Sequence, residues 1–206
     1  MLKKIMLTWL LITNAYGQSL PPHTPVEVGD KFSYQYVTMK GTTKELIYVI
    51  EKVESNQITG IASIDGNQIE FNTPVWGYQL QDFSLSAQKQ VTVDPPIKIF
   101  DENLKVGQKW ANVYSLDGGI FKAQVNGQYS VEKFEKLKLK IGEFDSFLIV
   151  HNDTVKLTVD EVFNGKQSEK IWVGVVNNKL LILKREFLGF TKQNFNIELS
   201  ELPSKK

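Results

Sequence analysis

Ile120-Phe121-Lys122-Ala123-Gln124-Val125-Asn126-Gly127-Gln128-Tyr129-Ser130-Val131-Glu132 alternates without a break. Phe121, Ala123, Val125, Gly127, Tyr129 and Val131 fall on one side; Lys122, Gln124, Asn126, Gln128, Ser130 and Glu132 fall on the other. Side chains on a strand point to opposite faces in turn, so a period of two held this long specifies one strand with its apolar face on a core. Asn126-Gly127 is a dipeptide that favours tight hairpin turns. A turn there would set Lys122 opposite Val131 and Phe121 opposite Glu132, mixing charge with hydrocarbon on both faces. The unbroken strand is therefore expected, with Gly127 as a bulge or kink.

The same test accepts a turn at Asp65-Gly66, which pairs Ala62 with Ile69, Gly60 with Phe71 and Ser63 with Gln68. It also accepts Asn177-Asn178, where Val175 meets Leu180, Val173 meets Ile182, Gly174 meets Leu181 and Trp172 meets Leu183. Apolar residues on both faces predict that this hairpin is buried on both sides. A turn at Asn164-Gly165 would bring Leu157 near Trp172. Phe32, Tyr34 and Tyr36 share a parity, as do Leu137, Leu139 and Ile141, and Phe195, Ile197 and Leu199. No window carries a 3.6-residue apolar stripe, so helix is limited to a turn or two around Gly142 to Phe147. These patterns predict an all-β chain.

Val28-Gly29-Asp30-Lys31-Phe32 recurs as Val106-Gly107-Gln108-Lys109-Trp110. Tyr48-Val49-Ile50-Glu51-Lys52-Val53-Glu54 recurs, in the same order, as Tyr129-Ser130-Val131-Glu132-Lys133-Phe134-Glu135. Two readings compete: two related meander halves, or a common way of entering a strand from a turn. The expected organisation is a leader at 1–17, a proline-rich lead-in at 18–25, one β domain at 26–199 with candidate halves 26–93 and 104–199, and a polar tail at 200–206. Both ends are expected to be mobile.

Lys3 and Lys4, the apolar run Ile5 to Ile12 and the small-x-small triplet Ala15-Tyr16-Gly17 read as a secretory signal peptide cut before Gln18. The apolar run is well short of the ~20 residues needed to span a bilayer, so a periplasmic or secreted protein is expected rather than an integral membrane protein. The chain has no cysteine. That excludes disulfides, thiolate chemistry and the lipid-acceptor cysteine of a bacterial lipoprotein. Losing Lys3 and Lys4 leaves a formal charge near −1, and with no basic patch a nucleic acid is not an expected partner.

Catalytic patterns are scarce. The histidines are His23, in the proline-rich lead-in, and His151, and no G-x-S-x-G elbow is present. His151 and Asp153 share a strand face and offer two metal ligands without an identifiable third. Glu143/Asp145 and Asp160/Glu161 read as solvated positions, and Gly118-Gly119 as a turn. Lys136, Lys138 and Lys140 read as a solvated or edge-protecting face. Trp76, Tyr78 and Phe83, with Trp110, Tyr114 and Trp172, are either core or the lining of a concave groove. Trp76, Tyr78 and Phe83 are the candidate ligand-binding residues, because Trp76-Gly77-Tyr78 beside Pro74 lacks alternating neighbours to bury it. Trp110 and Trp172 are expected in the core.

From Pro95-Pro96 the chain leads to Leu104-Lys105-Val106-Gly107-Gln108-Lys109-Trp110, then Tyr129-Ser130-Val131, Gly142-Glu143-Phe144 and a terminal hairpin from Trp172 to Lys184-Arg185-Glu186. In this order the motifs, spanning about residues 95 to 187, resemble the TapB-like family of exported bacterial proteins of unknown function. Asn177-Asn178 stands where that family usually has glycine, and Asn tolerates the left-handed backbone. The resemblance implies a strongly curved antiparallel sheet or half-barrel, β-clam-like, similar in kind to LolA-like envelope proteins that carry lipoproteins or lipids. It brings no catalytic residues and no cofactor. The leading expectation is a non-catalytic binding or assembly module of the cell envelope, holding an apolar or extended ligand such as a lipid or polysaccharide, or an envelope protein. The alternatives are a carboxylate-dependent hydrolase of envelope polymer and an accessory subunit that binds by edge-strand addition.

Overall fold

The computed structural model describes residues 19–38, 40–55, 57–74, 91–159, 162–189 and 194–205. Among these there is no helix, and twelve strands form one antiparallel sheet: β1 (Asp30–Thr38), β2 (Thr43–Glu54), β3 (Gln57–Ile64), β4 (Asn67–Thr73), β5 (Thr92–Asp94), β6 (Lys109–Asp117), β7 (Lys122–Leu139), β8 (Gly142–Thr158), β9 (Val162–Val176), β10 (Lys179–Leu188), β11 (Asn194–Leu199) and β12 (Ser204–Lys205). The order is β4-β3-β2-β1-β11-β10-β9-β8-β7-β6-β5, with β12 beside β1, and the sheet is curved but not closed. One meander, β1 to β4, runs out to one edge. A second, β6 to β11, returns from the opposite side until β11 meets β1.

The strand expected through Asn126-Gly127 is continuous and runs on to Leu139. Gly127 is not a bulge: it pairs in register with Asn112 and Asp153. The register slips instead at Glu132, between Val131 and Lys133. The Asp65-Gly66 hairpin has the expected pairs, with φ of 49° and 82°. Asn177 and Asn178 turn with φ of 48° and 61°, the left-handed values that a tight hairpin demands. Trp172, however, pairs with Lys184 rather than Leu183, because Leu183 is an extra residue bulged out of β10.

Two other expectations are corrected. Asn164-Gly165 is no turn: both residues lie within β9, opposite Lys156 and Val155. This register sets Ile149 against Ile171 and Phe147 against Val173, four side chains that are all fully buried, and that burial outweighs the turn preference of one dipeptide. Residues 142 to 147 are extended, not helical, because Phe144 and Phe147 must reach opposite faces.

Those faces are two cores. One gathers Phe32, Tyr34, Tyr36, Leu46, Ile50 and Phe71 from the β1–β4 meander onto Leu148, Trp172, Leu181 and Leu183. The other gathers Ile97, Ile99, Phe100 and Leu104 from the segment before β6, with Val125 and Val131, onto Phe147, Ile149, Ile171, Val173 and Leu180. Neighbouring residues of β8, β9 and β10 thus go to different cores. The 177–178 hairpin is buried on both sides, as its sequence predicts.

Thr24 and Pro25 of the lead-in and Ser204 and Lys205 of the tail are bonded to the sheet, where the sequence predicts mobile segments. Thr24 bridges Lys179, and its amide donates to Asn178 O at 2.7 Å. The buried Lys179 ammonium donates to Pro25 O at 2.6 Å and pairs with Asp30 at 3.2 Å, while Lys205 of β12 reaches Asp30 at 2.8 Å and Glu27 at 2.9 Å. The repeated motifs share local geometry. Gly29 N donates to Ile50 O and Gly107 N to Val131 O, each at 2.8 Å, with φ of 88° and 86°. In both, the paired strand then bulges at the next residue, Glu51 or Glu132.

Candidate functional site

Strand register builds a row of directly opposed side chains across β6 to β9: Trp110, Tyr129, His151 and Glu169. The Trp110 and Tyr129 rings stack at 5.1 Å, and Tyr129 stacks on the His151 imidazole at 3.8 Å, both at 12°. The Trp110 indole and Asn112 amide anchor one end of the row by donating to Lys98 O at 3.1 and 2.9 Å. His151 Nε2 meets Asp153 Oδ1, and its Nδ1 lies 3.7 Å from Glu169 Oε2. Glu169 accepts two bonds from Arg185 of β10, at 2.6 and 3.0 Å, and Asp153 accepts one from Gln167 at 2.7 Å. His151, Asp153 and Glu169 are all buried.

Burial, the largest influence on the imidazole, opposes its charge, but the Asp153 and Glu169 carboxylates outweigh it and hold the His151 pKa above its ordinary value. Burial likewise opposes the Glu169 charge. Arg185, followed by His151, outweighs it and holds that carboxyl below the usual range. Burial first, and then the Asp153 charge, push the Tyr114 and Tyr129 phenols up. Arg185 also acts on Tyr34 and Tyr48 of the first core, so the charges sit at the seam between the two cores. With one carboxylate on each ring nitrogen, the two acids lie on different sides of the imidazole. Among the described residues no group of three or more His, Asp or Glu side chains is arranged to hold a metal ion.

Next to this row, on the solvent side of β5 to β9, lies an open groove of about 840 Å³. Two rows of side chains face it. Asp94, Ser115, Gln124, Lys156 and Asn164 are successive cross-strand partners, as are Val113, Asn126, Thr154 and Lys166. The buried residues Tyr114, Val125 and Val155 run between them and turn their side chains to the core. The lining mixes hydroxyl, amide and ammonium groups with hydrocarbon from Val113, Pro95 and the buried row, and among the described residues Asp94 is its single carboxylate.

Trp76, Tyr78 and Phe83, like the leader and Asp160/Glu161, lie outside the described residues. His151 and Asp153 are brought together, but as a buried contact. Trp172 is core, its indole donating to Glu135 at 3.0 Å. Trp110 is only partly buried. Sequence reading missed Glu169, Arg185 and, apart from Tyr114, the residues of the groove as site candidates. The signal for Glu169 was present: it shares parity with Ile171, Val173 and Val175, a charge on an apolar stripe. Arg185 lies past the Leu183 bulge, where parity alone misplaces it.

No protein-family profile matches the chain, and no curated protein matches it in sequence. Solved structures do share the fold. A candidate lipoprotein from Parabacteroides distasonis superposes with a TM-score of 0.60 at 13% identity, over 90% of this chain and 100% of that one. A candidate exported protein with a YmcC-like fold from Bacteroides fragilis gives 0.52 at 13% identity, over 89% and 99%. The hypothetical lipoprotein YmcC from Escherichia coli gives 0.50 at 13% identity, over 87% and 91%. At such identity the likeness is one of fold.

Proposed function

We propose that this chain is an exported protein of the bacterial cell envelope that binds its ligand without transforming it, holding an extended molecule on the solvent face of β5 to β9. The groove carries this reading. It is open, spans five strands and offers, among the described residues, one carboxylate, Asp94, whereas hydrolysis of a glycosidic bond by an acid pair needs two reachable ones. The other acids nearby, Asp153 and Glu169, are buried on either side of an imidazole. The leader at 1–17 supports export. So do the TapB-like motifs and the fold shared with proteins described as exported or as lipoproteins. In this reading the mature chain starts at Gln18 in the periplasm or outside the cell, the repeated motifs mark two related halves of one domain, and Trp76, Tyr78 and Phe83 add contacts from the segment between β4 and β5.

Native mass spectrometry of protein purified from its own envelope fraction tests the proposal. A mature mass beginning at Gln18, with a co-purifying glycan, lipid or protein that is left uncleaved, is the expected result. A bare protein that cleaves envelope polymer overturns it.

A further inference from the structure

We propose that the groove takes an acidic polysaccharide, with Lys156 and Lys166 on its acid groups and the amide and hydroxyl side chains on its sugar hydroxyls. This rests on the binding reading above and names its ligand class. Shape gives the first argument. From Asp94 on β5 to Asn164 on β9 the row crosses four strand spacings, about 19 Å, long enough for several sugar units and open at the sides as a polymer requires.

Chemistry gives the second. Facing the groove are Ser115, Gln124, Asn126, Thr154 and Asn164, groups that both donate and accept and so match the hydroxyls of a sugar. An acyl chain would find Val113, Pro95 and the buried Val125 and Val155 along an open surface with no enclosed tunnel, and a nucleic acid would find one aromatic residue in the described lining, Tyr114, whose ring is buried and so offers no face on which to stack a base.

Charge gives the third. Lys156 pairs in register with Asn164, two residues from Lys166 on the same face of β9, so the two ammonium groups are diagonal neighbours. Neither has an ion-pair partner among the described residues, whereas nearby Lys122 pairs with Asp117 at 3.1 Å. Asp94 stands three strands from Lys156 along its row. Like charges set side by side cost a little stability and concentrate positive charge at one end of the groove, where one acid group can bond to both ammoniums.

The test uses the full mature chain with two probes of matched length, oligogalacturonate and neutral dextran, followed by calorimetry. Oligogalacturonate should bind, more weakly as salt rises, and dextran should not. The double variant Lys156→Glu with Lys166→Glu should lose about tenfold or more in affinity while melting like the parent, since both side chains are exposed. Equal binding of the two probes, failure of oligogalacturonate to bind, or unchanged affinity in the double variant overturns the proposal. A lipid or neutral glycan found on the native protein would likewise sink the acidic assignment while leaving the binding reading intact; a bare, polymer-cleaving native protein would remove both.

Discussion

Gly127 keeps open the space that the imidazole and its carboxylate fill. A β-carbon built there lies 2.5 Å from Asp153 Oδ1 and 2.8 Å from His151 Nε2, and both neighbours are buried. Gly127→Ala is expected to cost about 1–3 kcal/mol by overpacking, read from urea denaturation; a cost below about 0.5 kcal/mol would show slack around the ring. The row also makes stability depend on pH in two opposite senses. His151 has a raised pKa, so the folded state holds that proton more tightly. The stability it adds is complete below the unfolded value near 6.5 and is lost as pH rises through the folded value. Glu169 has a lowered pKa, so its contribution is present above the unfolded value near 4.3 and is lost as pH falls through the folded one. Melting temperatures measured upward from about pH 6.5 should therefore decline, and His151→Gln should flatten that decline at a lower overall stability. A decline of equal steepness in the variant would assign it to other groups. How far this site was legible is itself a residue-scale matter. His151 and Asp153 lie two apart on one strand, so parity reveals them; Glu169 and Arg185 come from other strands and join them only through register.

Bulges decide what elements do with their sequence. Where alternation is unbroken, as in Phe32-Tyr34-Tyr36 or residues 120 to 132, sequence predicts the buried face correctly. Where one residue is extra, as at Glu51, Glu132 and Leu183, everything beyond changes partner, and nothing in composition announces it. The Leu183 bulge brings Lys184 over the Trp172 ring, 5.3 Å from its centroid. Trp172→Ala should cost about 3–5 kcal/mol through its cavity, with the Glu135 bond lost as well. Trp110→Ala should cost less, because its ring is partly exposed and leaves a smaller cavity, although its stacking on Tyr129 and its bond to Lys98 O are lost as well. Chemical denaturation that ranks them the other way would contradict the burial pattern. Where lead-in and tail bond to the sheet, Asp30→Ala strips the buried Lys179 of its closest carboxylate and should cost about 3–5 kcal/mol. A loss below 1 kcal/mol, on the scale of an exposed pair, would mean that Glu27 takes over.

At the scale of the molecule, the two cores share β8, β9 and β10, so the two meanders cannot be separated without stripping one face of those strands. The hairpins of the second meander join strands close in sequence, whereas β1 finds β11 only across nearly the whole chain. Loop closure makes such distant pairings late. Pulse-labelled hydrogen exchange during refolding should therefore protect the amides of β7, β8 and β9 before those that join β1 to β11; simultaneous protection would show a single concerted step. That late pairing has a consequence for quality control. A nascent or prematurely terminated chain can complete its first four strands and still present the bare rim of β1 to proteases, chaperones and other copies of itself. Arrival of β11 covers that rim, and β12 with Lys205 pairs beside it.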